Sequence, residues 1–298
     1  MKQNDISLKQ NKQSEPQSVF LPKKGIKGKE IYVYIVLGIW ALINLFPIYW
    51  MFTFSLKNNE EIFGTNVAGL PRHWLWSNYK AAMETGNMPK AFLNSTIIAV
   101  STIAVVMLIS LMATFALTRF YWKGKKRMNS FFMLGLTIPM HAALVPIYVT
   151  LARMDLLDKY ITLIIPYSAF SLAMGILICT GFMQELPMDL DEAACIDGCG
   201  TWGIFFRIIV PLMKPAVATV SIYTFLQCWN ELMFANNFIR DSAHKTLPVS
   251  IQGLSGQYNT QWGPIGAALV LATFPTLIFY IFFSKKIQES FIAGAIKG

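Results

Sequence analysis

The polar segment from Asp189 to Pro215 contains the residues whose types and spacing best suggest a chemical role. Its acidic side chains can accept charge-assisted hydrogen bonds from basic groups of a partner. Its small residues allow close backbone approach, and its aromatic residues are suited to binding in a groove. The segment therefore predicts recognition of a protein partner rather than catalysis. The candidate residues are Glu192, Ala193, Ala194, Asp197, Gly198, Phe205, Phe206 and Pro211.

The same segment contains signals for two short helices. Asp189 and Glu192 have the spacing of a capping box, which predicts a helix beginning at Leu190. Gly198 fits a left-handed stop after that helix. Thr201 could then cap a second helix, and Pro211 marks the bend toward the next apolar run. An ordinary interfacial helix is the alternative to a docking element.

The residue patterns of known enzyme and metal sites are missing from the sequence. The chain has three histidines, and neither a zinc-protease HExxH nor a CxxC pattern occurs. Cys195 and Cys199 are four residues apart, but no further ligand follows at a zinc-like spacing. No GxxxxGK[ST] phosphate loop occurs, so the chain should not hydrolyse ATP alone. We predict no catalytic residue, metal site or cofactor in this chain, and no enzymatic activity.

Composition indicates that these residues belong to a membrane protein. The 298 residues are 54% hydrophobic and 14% charged, against roughly 25% charged in a soluble domain. Several apolar runs reach the roughly 20 residues that a helix needs to cross a bilayer. We therefore predict an all-α membrane protein with six transmembrane helices, at about residues 31–55, 91–117, 129–151, 160–182, 213–235 and 264–283.

The distribution of basic residues predicts the orientation of the spans. Most of the 25 lysines and arginines fall in the first thirty residues, in the loop after the second span, in the segment 183–214 and after the last span. The positive-inside rule places both termini and that segment in the cytoplasm. We predict a polar tail at 1–30, a six-helix transmembrane domain at 31–283 and a cytoplasmic tail at 284–298. The basic charge is explained by this bias, so we predict no binding to nucleic acid.

Two longer connections lie on the opposite side. Residues 56–90 are predicted to include a short helix around Asn78–Thr85, and residues 236–263 are rich in Asn, Gly and Pro. Either connection could receive a partner from outside, or could simply join two spans.

A few polar residues within the spans could line a pathway for a solute. Polar groups there are costly and usually face a cavity or a partner. Hydroxyl, amide and aromatic groups suit sugars, although such residues also hold neighbouring helices together. The candidates are His141, Tyr223, Gln227, Asn230 and Glu231.

The chain resembles the carbohydrate-type permeases of bacterial type I ABC importers, in particular the smaller permease of the maltose-transporter type. The similarity is strongest in the EAA loop, where Glu192-Ala193-Ala194, Asp197-Gly198 and Pro211 keep the family's spacing. It covers roughly residues 30–298. Further matching features are Asn94-Ser95, the end of the second span at Arg119, Trp229-Asn230-Glu231 and the C-terminal Gly294, Lys297 and Gly298.

The resemblance implies the partners and the mechanism. It implies a second, homologous permease, a cytoplasmic ABC ATPase dimer that binds ATP and Mg²⁺, and an extracytoplasmic sugar-binding protein. The EAA loop would couple to the ATPase, and the residues from Gly294 to Gly298 would reach toward the same interface. The spans would transport a carbohydrate across the bacterial cell membrane by alternating access. In such transporters the better-defined sugar site belongs mainly to the other permease.

Three other functions are compatible with parts of the sequence. The same architecture could import an amino acid, a polyamine or phosphate, although the C-terminal Gly-Ala-Ile-Lys-Gly ending favours carbohydrate. A membrane enzyme would need a nucleophile–base pair or a metal cluster. A non-transporting scaffold would explain the spans but not the EAA-like loop.

Overall fold

The computed structural model describes residues 28–256 and 260–295. Within these residues helices are the only regular secondary structure, so the predicted all-α class is confirmed. Lys297, Gly298 and residues 1–27 of the predicted N-terminal tail lie outside the described part. The α-helices are α1 (Gly28–Ser55), α2 (Asn59–Phe63), α3 (Ser77–Thr85), α4 (Met88–Arg119), α5 (Lys125–Leu134), α6 (Leu144–Arg153), α7 (Tyr160–Glu185), α8 (Asp189–Ile196), α9 (Thr201–Gly203), α10 (Val210–Leu212), α11 (Lys214–Trp229), α12 (Met233–Phe238), α13 (Leu247–Gln252) and α14 (Trp262–Ala295).

In the part of the chain that the structure describes, between four and six membrane spans can be assigned by length and composition. Four helices qualify alone, namely Ile31–Ser55, Met88–Arg119, Tyr160–Glu185 and Trp262–Phe282. Two bent helix pairs, Lys125–Thr137 with Met140–Arg153 and Thr201–Leu212 with Lys214–Trp229, bring the number to six if each pair is one span. The last helix continues to Ala295, so the described part of the predicted C-terminal tail is helical.

The predicted third span is not one helix. Its two halves meet at 90°, and Ile138 between them is extended, with φ −81° and ψ 114°. The residue before a proline is pushed out of the helical region, and Pro139 occupies that place. The prediction of a continuous helix over 129–151 is therefore wrong.

The predicted fifth span also differs from the structure. The chain bends by 72° before Lys214, and α11 ends at Trp229, six residues short of the predicted end. Glu231 accounts for this early end, because its carboxylate accepts hydrogen bonds from Phe234 N (2.8 Å) and Ala235 N (3.1 Å). Those two N–H groups begin the separate helix α12.

The described residues belong to two units, one ending at Tyr49 and the other beginning at Trp50. The described part of the first unit is the initial portion of α1, where the Asn44 amide bonds the Trp40 carbonyl at 2.7 Å. The second unit contains every other helix and both apolar cores.

The second unit is organised around the packing of α7 along α4. One core lies toward the start of both helices and includes Ile98, Leu163 and Phe234. The other lies toward their ends and joins Val106 and Met183 to the segment that follows α7. The second core therefore fixes the position of the EAA-like loop.

The connection between α1 and α4 is held by buried polar groups. Lys57 is fully buried and its ammonium donates to the carbonyls of Asn66 (2.7 Å) and Val67 (3.1 Å). The Glu61 carboxylate accepts from Arg72 N at 2.9 Å and from the Asn66 amide at 3.0 Å. The short helix predicted around Asn78–Thr85 is confirmed as α3.

Candidate functional site

The EAA-like loop folds as helix α8, a left-handed turn and a second helical segment. α8 begins at Asp189, with Met188 as its N-cap and no side-chain capping bond. The predicted capping box is therefore wrong. Backbone carbonyls satisfy the first turn instead, since Asp191 N and Glu192 N both bond the Met188 carbonyl.

Gly198 ends α8 as predicted. Its φ is +79°, a conformation that glycine adopts at little cost. Gly198 N bonds the Cys195 carbonyl, and Cys199 N bonds the Ala194 carbonyl at 2.9 Å. The chain then turns into the second segment, whose first helix α9 begins at Thr201 with Gly200 as the N-cap. Thr201 is therefore not the cap.

The second segment contains a π-helical stretch, Ile204–Ile209, before α10. Pro211 lacks the N–H that would bond the carbonyl four residues earlier, that of Arg207. This missing bond accompanies the change from π to α geometry. Pro211 is exposed and lies two residues before the 72° break at Met213, close to the predicted bend.

One face of the loop is buried in the bundle. Ala194 is 4% exposed and Phe205 is 1% exposed, and the Phe205 ring lies 5.2 Å from that of Phe115 in α4. Phe205 therefore belongs to the core. Its predicted role as an anchor for a partner is wrong, because the ring is covered by this chain.

The other face of the loop is open. Ile196 is 87% exposed, Trp202 is 61% exposed and Phe206 is 55% exposed. The Trp202 and Phe206 rings stack with centroids 6.0 Å apart. Glu192, Ala193, Asp197 and Gly198 are exposed as well. We call this set, Glu192, Ala193, Ile196, Asp197, Gly198, Trp202 and Phe206, the open face.

The open face combines apolar area with two carboxylates. Apolar side chains surrounded by polar residues are typical of protein interaction sites. Most of the predicted coupling residues are brought together here. The exceptions are Ala194 and Phe205, which are buried, and Pro211, which lies farther along the chain.

The predicted pathway residues fall into two groups. Gln227 and Asn230 are exposed on α11 and at its end, and the Gln227 amide bonds the Tyr223 hydroxyl at 3.0 Å. Asn230 also lines a cavity of about 580 Å³ that is bordered by Trp229, Gln252 and Thr273. These side chains are available to a solute or to a neighbouring subunit.

Glu231 and His141 lie in different surroundings. Glu231 is 8% exposed and also accepts a hydrogen bond from the Tyr167 hydroxyl, besides its two backbone bonds. Its carboxylate is therefore used within the chain, where it ties α12 to α7. His141 is exposed at the break of the third span, with its ring 6.4 Å from Phe234.

The comparisons with known proteins agree with this architecture. A family model described as the binding-protein-dependent transport system inner membrane component matches residues 106–291. The chain belongs to this family. Since the match includes α7, α8 and the loop that follows, it covers the whole candidate site.

Two of the relatives have names that state the transport system to which they belong. The diacetylchitobiose uptake system permease protein NgcG of Streptomyces coelicolor is 34% identical over 264 residues, covering 88% of this chain and 87% of NgcG. The sulfoquinovosyl glycerol transport system permease protein SmoH of Agrobacterium fabrum is 32% identical over 265 residues, covering 89% and 93%. The predicted resemblance to carbohydrate-type ABC permeases is confirmed.

A solved structure supports the fold independently. A chain from a bacterial ABC transporter involved in the import of the acidic polysaccharide alginate superposes with a TM-score of 0.76. The superposition covers 86% of this permease and 95% of that chain, at 21% sequence identity. The fold is therefore that of an ABC importer permease, a multi-pass membrane protein.

The sequence analysis missed an ion pair at the edge of the candidate site. Asp191 in α8 faces Arg119 at the end of α4, with Oδ2 and Nε 3.0 Å apart. Two features of the sequence could have suggested this ion pair. An arginine ends the second span and acidic residues begin the predicted helix of the loop, and the charge bias places both in the cytoplasm. The 72-residue separation hides this pairing from local patterns.

Proposed function

We propose that this chain is the permease subunit of an ATP-driven sugar importer, and that it forms the pathway with a second, homologous permease. The division of the EAA-like loop into a buried face and an open face supports the proposal most directly. The buried face fastens the loop to α4 and α7, while the open face offers acidic and apolar groups to a separate protein. Such a segment is suited to transmit force from a partner to the bundle.

The partner proposed for the open face is a cytoplasmic ABC ATPase dimer, which binds ATP and Mg²⁺. Ile196, Trp202 and Phe206 would enter a groove of the ATPase, and the carboxylates of Glu192 and Asp197 would pair with basic groups at its rim. Both termini lie in the cytoplasm by the positive-inside rule. Gly294, Lys297 and Gly298 would then be on the ATPase side as well.

Sugar as the cargo is supported by the relatives, whose names refer to diacetylchitobiose and sulfoquinovosyl glycerol systems. An extracytoplasmic sugar-binding protein would deliver the cargo. Tyr223, Gln227 and Asn230 are the pathway candidates with open surroundings, and His141 at the helix break is the fourth. ATP-driven movement of the loop would switch the spans between inward and outward access.

Two adjacent phenylalanines provide a matched test. Phe206→Ala removes an exposed ring of the open face and should abolish co-purification of the ATPase without changing the thermal unfolding of the permease. Phe205→Ala removes a buried ring and should destabilise the chain by about 3–5 kcal/mol. If Phe206→Ala and Ile196→Asp both keep ATPase binding and sugar uptake at wild-type levels, the open face is not the coupling surface.

The cargo is tested by uptake into proteoliposomes that contain the assembled transporter, with its cognate binding protein added. Uptake of a labelled oligosaccharide should be competed by unlabelled sugars and not by amino acids or polyamines. Competition by a polyamine or an amino acid alone would contradict the sugar assignment while leaving the permease assignment intact. Assembly without any uptake would favour a scaffold.

A further inference from the structure

Arg119 joins the end of α4 to the corner between α7 and α8. Its Nε lies 3.0 Å from Asp191 Oδ2 in the first turn of α8. Its Nη2 donates to the Leu186 carbonyl at 3.1 Å, and its Nη1 contacts the Met188 sulfur. One guanidinium therefore contacts three points on the segment that carries the open face.

The Arg119–Asp191 pair is shielded from water. The side chains are 6% and 15% exposed. Arg119 Nε and both carboxylate oxygens of Asp191 are buried and make no hydrogen bond among the described residues, so the 3.0 Å contact between them is an ion pair rather than a hydrogen bond. Among the described residues, the positive charge of Arg119 therefore offsets the negative charge of Asp191. Removing one partner of such a pair leaves an uncompensated buried charge, which is strongly unfavourable.

The geometry favours transmission of movement. The guanidinium is planar and presents its donors in a rigid fork, so its contacts with Leu186, Met188 and Asp191 are made together in one relative arrangement of α4 and α8. Beside it, the Phe115 ring of α4 packs against Phe205 of the loop. The ion pair and the ring contact lie at the same end of α4, so α8 is joined to α4 by the ion pair and the segment after it by the ring contact.

We propose that Arg119 and Asp191 are positioning residues for coupling, and that their ion pair transmits displacement of α8 to α4. This proposal rests on the proposed function, because it assigns the displacement to the ATPase bound at the open face. The apolar contact at Phe205 holds the loop in place, whereas the charged contact fixes how α8 and α4 move together.

The test uses the complete transporter, reconstituted with its partner permease, ATPase and binding protein. The measured quantity is the amount of sugar taken up per ATP hydrolysed. Asp191→Asn keeps the side-chain shape but removes the charge, and should retain ATPase binding while lowering this ratio about tenfold, within the range typical of coupling between sites. Arg119→Ala should act in the same direction. The exchange Arg119→Asp with Asp191→Arg should recover at least part of the ratio.

The outcomes separate this proposal from the function on which it rests. If the ATPase binds, Phe206→Ala prevents that binding, and Asp191→Asn still transports with the wild-type ratio, the linkage is refuted and the proposed function stands. If Phe206→Ala and Ile196→Asp both leave ATPase binding and uptake unchanged, the open face is not the coupling surface and the proposed function fails at that step. Should the single charge variants fail to accumulate as folded protein, the exchange variant decides, because failure to restore folded, coupled transporter would overturn the pairing.

Discussion

Replacing Gly175 by alanine tests the close packing of α7 on α4. A Cβ at this position would lie 2.4 Å from Ser110 Oγ, 3.2 Å from Val106 Cγ1 and 3.3 Å from Ser110 Cβ. All three contacts are shorter than ordinary van der Waals separations. Ser110 and Val106 are both fully buried, so neither side chain can move into solvent.

The cost of this substitution follows from two opposing effects. Ser110 Oγ has no hydrogen-bond partner in the described residues, so the hydroxyl can rotate away from the new methyl group. The contacts with Val106 Cγ1 and Ser110 Cβ remain, and overpacking of this kind costs about 1–3 kcal/mol. Replacing a helical glycine by alanine returns about 0.5–1 kcal/mol. The net destabilisation is therefore up to about 2.5 kcal/mol, and the difference from a glycine-to-alanine change without overpacking is about 1–3 kcal/mol.

Thermal unfolding of the purified chain in detergent measures the effect. Gly181→Ala is the matched control, because Gly181 lies in the same helix and a Cβ there has no atom within 4 Å. The control should be unchanged or slightly stabilised. Adding Ser110→Ala to Gly175→Ala removes the shortest contact and should recover part of the loss. Equal stability of Gly175→Ala and Gly181→Ala would refute the inference that the two helices are in close contact at this position.

Three further predictions concern other parts of the chain. Asn94 is 1% exposed, donates to the Ala243 and Lys245 carbonyls, and accepts from the Tyr160 hydroxyl. Asn94→Ala should therefore destabilise the chain by about 1.5–4.5 kcal/mol, at about 0.5–1.5 kcal/mol for each of the three hydrogen bonds. Thermal unfolding measures this loss, and Asn237→Ala at an exposed position should cost under about 0.5 kcal/mol. Burial would raise the pKa of Glu61, but hydrogen bonds from the Arg72 and His73 backbone and from Asn66, together with the Lys57 charge, hold that pKa below its usual value. The ionised Glu61 carboxylate therefore stabilises the fold above about pH 4.3, the pKa of an unfolded Glu, and this stabilisation is lost as the pH falls through the lower pKa of the folded state. Glu61→Gln should unfold at a lower temperature than wild type at neutral pH, and the difference should vanish in acid. Cys195 is exposed and Cys228 is buried; a maleimide should modify Cys195 in the free permease, and ATPase docking should protect it, whereas modification at an unchanged rate would contradict docking at α8.

Local chemistry was sufficient to predict several features from the sequence. The length and apolarity of the runs predicted the four continuous spans, because only such segments satisfy a membrane environment. Gly198 was predictable because the left-handed conformation that closes α8 strongly favours glycine. The helix α3 and the bend at Pro211 likewise depend on neighbouring residues.

The errors arose where tertiary contacts decide between local alternatives. Pro139 is compatible with a kinked span or a broken one, and the structure shows the break. Glu231 looked like a polar lining residue, but its partner Tyr167 lies 64 residues away. Phe205 and Phe206 are indistinguishable by type, and only the packing of the loop places one inside and the other outside.

The packing of α4 identifies the part of the bundle that should move with the loop. α7 runs directly into α8 through Leu186, so displacement of α8 reaches α7 through the backbone. The same displacement reaches α4 through Arg119 and through the Phe115–Phe205 contact. Because Gly175 brings α4 and α7 into contact without space for a methyl group, a displacement of one helix toward the other meets direct steric resistance. Force applied at the open face should therefore move α4, α7 and the loop as one body, and the breaks before Met140 and Lys214 are the places where the remaining helices can change their angle relative to it.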